Sequence, residues 1–145
     1  MMETGRADLP QELMETNRIL SRFGLALTEE DAAWILEERK KVLREQRRVE
    51  FGRGIAPDLV FAFCDSDFVD PDTFAETIVR LQEIFYLFKN EMEDRVTDTE
   101  LIEMMRDLFE NTCYGDLDYL ESTCLAEAAR EMRMGRTKSR RGERE

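Results

Sequence analysis

The stretch PDTFAETIVRLQEIFYLFKNEM, residues 71–92, decides the fold. Phe74, Ile78, Leu81, Phe85, Phe88 and Met92 recur at steps of three and four, which lines them up on one face of a helix of about 3.6 residues per turn. Within it, IFYLF at residues 84–88 is apolar without a break, and at about 100° per residue such a run covers every side of the helix. The second half of this helix is therefore expected to be enclosed, by other helices or by a second subunit. That makes 71–92 the central element of a helical protein.

Upstream, residues 64–76 read CDSDFVDPDTFAE and pose a choice between a calcium loop and a turn. A loop begun at Asp65 would set Asp65, Asp67 and Glu76 on ligand positions, but the place that requires glycine for the sharp turn holds Asp70, and the next holds Pro71. The turn explains more residues. Asp70 can cap, Pro71 suits a first helical turn, Asp72 favours the positive end of the helix dipole, and Phe74 begins the buried stripe. Ser66 follows an aspartate, as a carrier-protein serine does, but stands too far before Pro71 to open the helix.

The same start signals recur on both sides. Pro10 suits the first turn of a helix over residues 10–23 with Leu13, Thr16, Leu20 and Phe23 on one face and Gly24 as its stop. In LTEEDAAWIL, residues 27–36, Thr28 and Asp31 can form a capping box and Leu27 can pack on Ala32, opening a helix expected to reach about residue 48. Pro57 opens a short apolar helix over residues 57–64. Downstream, Thr97 and Glu100 repeat the box, Val96 and Leu101 the apolar staple, and Leu101, Met104, Met105, Leu108 and Phe109 should face inward. After Gly115, Asp116 can cap a last helix whose inner stripe is Leu117, Leu120, Cys124, Ala128 and Met132.

No stretch alternates apolar and polar residues as a strand would, and no repeat recurs at a fixed period. The expected fold is all-α: a single-domain bundle of about six helices over residues 1–134, followed by a disordered basic tail at 135–145. A chain of 145 residues is long enough to bury one core without metals or disulfides.

The net charge is −12. The last eleven residues carry +3, which leaves −15 on residues 1–134, and such an acidic body repels nucleic acid backbones and anionic lipid. Nucleic acid is thus not the expected partner. Cys64, Cys113 and Cys124 are odd in number and lack a C-x-x-C spacing, so they read as small core residues in a reducing compartment. No signal pattern opens the chain and no apolar run is long enough to span a membrane, which points to the cytoplasm.

Few residues suggest chemistry. With no histidine, the commonest general base and the usual nucleophile triads are absent, and no catalytic residue, metal site or cofactor is expected. The inward stripe of the second helix, Ala32, Ile35, Leu36 and Leu43, also contains Arg39 and Gln46, with Glu50 on the same projection if the helix extends that far. A buried arginine keeps its charge and must find an acceptor, so Arg39, Gln46 and Glu50 are either an internal ion pair or the lining of an anion pocket. The internal pair is the simpler expectation. On the outer face Lys40, Arg44 and Arg47 form a basic stripe that either binds an anion or is a solvated face, supported by Glu37 and Lys41 at i, i+4 spacing. The GRG of residues 52–54 reads as a flexible turn.

RVEFGRGIAPDLVFAFCDSDFVD (48–70), LQEIFYLFKNE (81–91) and DLDYLESTCL (116–125) together resemble a bacterial family of small proteins known as a domain of unknown function, over roughly residues 20–130. That resemblance implies a bacterial cytoplasmic protein and carries over no functional residue. The leading expectation is a non-enzymatic helical interaction or regulatory module, with a protein partner or a second copy in a homodimer. The alternatives are an anion-binding or catalytic domain around Arg39, and an acidic mimic of nucleic acid.

Overall fold

The computed structural model describes the backbone of residues 3–144 and the side chains of residues 9–134, in both cases without residues 51 and 53. Every regular element among the described residues is helical, so the fold is all-α. Two compact units are distinguished, Met1–Tyr86 and Leu87–Glu145.

In the first unit, α1 (Glu3–Glu15) begins upstream of Pro10, which lies inside the helix rather than opening it. A proline inside a helix removes one backbone donor and its ring crowds the carbonyl four residues earlier. Thr16 ends α1 by turning its hydroxyl onto the Leu13 carbonyl at 2.6 Å. The short α2 (Asn17–Leu20) and a 3-10 turn, Ser21–Phe23, follow, closed by Gly24 at φ 73. Leu13, Thr16 and Leu20 are buried as the stripe requires, but Phe23 is exposed. Phe23 is the last residue of the 3-10 turn, where the chain leaves the helix at Gly24. Asn17 then ties the connection down, its side chain accepting from the Leu27 amide at 2.7 Å and donating to the Leu27 carbonyl at 2.9 Å.

α3 (Glu29–Glu45) opens on the expected capping box: the Asp31 amide donates to the Thr28 hydroxyl at 3.0 Å and the Thr28 amide to the Asp31 carboxylate at 2.9 Å. Leu27 and Ala32 are both buried beside it. The helix stops short of residue 48, since Arg47 takes a left-handed φ of 58. Its buried residues are Ala32, Ile35, Arg39 and Val42, while Leu43 is only half-buried. α4 (Ala56–Phe63) carries Pro57 in its first turn and buries Leu59, Val60 and Phe63.

The turn reading of residues 64–76 holds. Asp70 accepts from the Asp72 amide at 2.9 Å, and Pro71–Thr73 forms a 3-10 turn that leads into α5 (Phe74–Glu91). Ser66 is buried, its hydroxyl accepting from the Phe68 amide at 3.1 Å. On α5, Ile84, Phe85, Tyr86 and Phe88 are all buried and Leu87 is half-buried, as a run that covers every side demands. Phe85 and Tyr86 meet edge to face with ring centroids 5.2 Å apart.

In the second unit, Lys89 near the end of α5 donates to the Val96 carbonyl at 2.6 Å and pairs with Asp98 at 2.8 Å. These contacts hold a turn in which Glu93 and Asp94 both have φ 57. α6 (Asp98–Asn111) opens on the Thr97–Glu100 box and buries Leu101, Ile102, Met105 and Phe109, with Met104 and Leu108 half-buried. Asp116 caps α7 (Leu117–Tyr119) by accepting from the Tyr119 amide at 3.1 Å.

The inner stripe expected for the last helix is corrected. A π turn, Leu120–Cys124, separates α7 from α8 (Leu125–Arg144) and adds one residue to the winding. Burial therefore passes from Leu120 to Leu125 and Ala129, and Cys124, Ala128 and Met132 are half-buried. The backbone of α8 runs on to Arg144, but the side chains of the expected tail, 135–145, lie outside the described residues.

Candidate functional site

The inward polar residues of α3 find partners inside the first unit. Arg39 is 7% exposed, and its Nη2 donates to Glu50 Oε1 at 3.2 Å. Glu50 reaches this place from the connection after α3, not as a continuation of the helix. A third member escapes the sequence altogether: the hydroxyl of Tyr86, on α5 and fully buried, donates to the same Glu50 oxygen at 2.5 Å. One carboxylate oxygen thus takes two donors, one of them charged, and charge-assisted bonds of this kind are roughly twice as strong as neutral ones.

Gly54 completes the enclosure. Its φ is 74, and a Cβ at this position would stand 2.6 Å from Arg39 Nε and 3.0 Å from Cζ. Only glycine lets the backbone lie against the guanidinium here, which gives the GRG turn a definite role. One helical turn earlier on both helices, Gln82 of α5 donates to the Ile35 carbonyl of α3 at 3.0 Å. Arg39 Nε and Gln82 Oε1 are buried without a hydrogen-bond partner among the described residues.

The electrostatics favour a fixed network. Burial, and then the hydrogen bond to Glu50, raise the Tyr86 hydroxyl far above its ordinary 10.0, so it stays protonated and acts as a donor. Glu50 retains 22% side-chain exposure, which makes it the one member that solvent reaches appreciably. Gln46 is not brought into the network: it is half-buried and forms the C-cap of α3, its amide bonded to the Arg44 and Val42 carbonyls.

The outer basic residues Lys40, Arg44 and Arg47 are all exposed. Lys40 pairs with Glu37 at 3.9 Å and Lys41 with Glu38 at 3.6 Å, so i, i+3 pairs replace the expected Glu37–Lys41 pair. Exposed pairs of this length contribute little. Trp34, the chain's sole tryptophan, is 41% exposed on α3. Its outward position follows from helix phase, since Ile35 next to it points in.

Asp65, Asp67 and Glu76 form no metal centre; among the described residues no group of three or more His, Cys, Asp or Glu side chains is placed to hold an ion. No helix among them is long and apolar enough to cross a membrane. A family model described as Family of unknown function (DUF6323) matches residues 12–138. No curated protein and no solved structure matches the chain.

Proposed function

The chain belongs to that family of unknown function, DUF6323, and on this premise we propose that it is a non-enzymatic helical interaction module whose docking element is the outer face of α3. Trp34 carries the proposal. An indole 41% exposed, on the helix face that also carries Glu30, Glu37 and Lys41, retains apolar surface that a protein partner would remove from water. Tryptophan is among the residues that most often anchor such contacts. The setting is cytoplasmic, and the partner is another protein or a second copy of this chain. α5 does not itself call for the second copy, because its apolar run is buried within one chain.

The test is crosslinking in the native host with the full-length chain and with Trp34→Ala, alongside light scattering of the purified protein. The proposal expects a defined partner, or a dimer, that weakens by at least about tenfold in the variant, as truncation of an anchor residue does. An identical partner set for both chains, or no partner for either, refutes it.

The anion-site alternative around Arg39, Gln46 and Glu50 has one observation in its favour, an Arg39 Nε without a partner among the described residues. Against it stand the burial of Arg39, its bond to Glu50 and the cover of Gly54. An acidic mimic of nucleic acid rests on the charge of −15 on residues 1–134 alone, and an affinity insensitive to salt would exclude it.

A further inference from the structure

Two of the three cysteines meet in the second unit, although ten residues of sequence lie between them and no motif links them. After α6 the chain turns back through Tyr114 at φ 50 and Gly115 at φ 84, and Cys113 Sγ comes to 3.3 Å from Cys124 Sγ. Cys124 is the last residue of the π turn. In an α-helix it would follow Leu120 onto the buried face, but the added residue gives that place to Leu125 and leaves Cys124 half-buried. The two thiols thus differ in access: Cys113 is buried, and Cys124 is partly open. Neither is in a disulfide, and their separation exceeds the bond length of about 2.05 Å by little more than an ångström.

We propose that Cys113 and Cys124 are a dithiol that low-molecular-weight disulfides convert into an intramolecular disulfide. Cys124, the accessible thiol, gives its proton to water, and its thiolate attacks one sulfur of RS–SR. The S–S bond breaks, a mixed disulfide forms on Cys124, and RS⁻ leaves and takes up a proton. Cys113 then loses its proton and attacks the Cys124 sulfur, expelling the second RS⁻. Two protein thiols are oxidised and one small disulfide is reduced to two thiols.

The order of events follows from the site. Burial, then the bond to Cys124, then the Asp116 carboxylate push the Cys113 thiol up to about 12, so it is a poor first nucleophile. Once Cys124 carries RS, its own share of that shift ends, and the second attack is intramolecular. Cys64 supplies an internal control, since it is buried and donates to the Phe61 carbonyl at 3.7 Å.

The experiment incubates the folded full-length chain with graded ratios of reduced and oxidised glutathione, quenches with acid, alkylates, and maps the products by mass. Under oxidising ratios two of the three thiols should become inert to alkylation, with a Cys113–Cys124 crosslinked peptide that dithiothreitol reverses. Cys113→Ser should stop at glutathione on Cys124, whereas Cys124→Ser should react at least tenfold more slowly. Wild-type protein that accumulates the mixed disulfide without closing it, that crosslinks through Cys64, or that keeps all its thiols in oxidised glutathione overturns the proposal. The wild-type map decides the matter even if a serine variant fails to fold.

Discussion

Removing Glu50 should cost more than removing Arg39, although both deletions break the same contact. In Glu50→Ala, Arg39, 7% exposed, loses its ion-pair partner among the described residues and the Tyr86 hydroxyl loses its acceptor. Orphaning one member of a fully buried pair costs about 3–5 kcal/mol. Because Glu50 is 22% exposed, water can approach the site, and the low end of about 3 kcal/mol applies. Arg39→Leu leaves Glu50 with Tyr86 and solvent and fills the space with an apolar side chain, so about 1–2 kcal/mol is expected. In the double variant no charge is orphaned, and its cost of about 2 kcal/mol falls short of the sum by a coupling of similar size. Urea denaturation followed by far-ultraviolet circular dichroism reads these values, and Glu50→Ala should also lower the melting temperature by about 10 °C. Equal losses in the two single variants, or strict additivity in the double, would refute the reasoning. A pocket arginine behaves differently still: Arg39→Leu would keep its stability and lose protection by an anionic ligand.

Three further outcomes follow from the same geometry. Gly54→Ala should destabilise by about 2–4 kcal/mol, because the new Cβ meets Arg39 Nε at 2.6 Å and the φ of 74 disfavours any side chain; chemical denaturation measures it. Stability should fall as pH rises above about 9, first through Cys113, whose thiol moves from 9.0 up to about 12, and above 10 through Tyr86. Both groups hold their protons longer in the folded chain than in the unfolded one, so the unfolded state gains on alkaline titration; Cys113→Ser should delay the decline and Tyr86→Phe should flatten its upper part. Thr28→Ala and Thr97→Ala should each cost about 1 kcal/mol, since each removes the acceptor of a capping box, and the two should add in melts.

The features legible in the sequence are those whose partners lie within one helical turn. Both capping boxes, the Asp70 cap with Pro71, and the Asp116 cap depend on contacts two or three residues away. The enclosure of residues 84–88 was legible too, because a continuous apolar run leaves no helix face for water. The candidate site was legible only in part. Arg39 is marked by its place on an apolar stripe, but Tyr86 stands 36 residues from Glu50, and nothing in an apolar IFYLF run announces that its phenol reaches a carboxylate. Nor does periodicity foresee a π turn: one added residue in the winding moves burial from Cys124 to Leu125, and with it the access of a thiol. Phe23 stands exposed at the last position of its 3-10 turn, where the chain leaves the helix at Gly24.

The buried arginine and the exposed indole result from one choice of helix phase. α3 can bury Ala32, Ile35, Arg39 and Val42, or, turned nearly halfway round, a face that would hold Glu30, Trp34, Glu37 and Lys41. The second choice gains an aromatic ring but desolvates three charges; the first desolvates one, and Glu50 and Tyr86 lie ready to meet it. At about 100° per residue Trp34 then falls about 140° from Arg39, on the far side of the helix. Its exposure is therefore forced from within, and folding alone gives the ring little to do. That separates the two properties of Trp34→Ala: binding should weaken while stability changes by only about 1 kcal/mol. A loss of 3 kcal/mol or more, the mark of a core aromatic, would show the indole working inside the chain and would remove the support for α3 as a docking face.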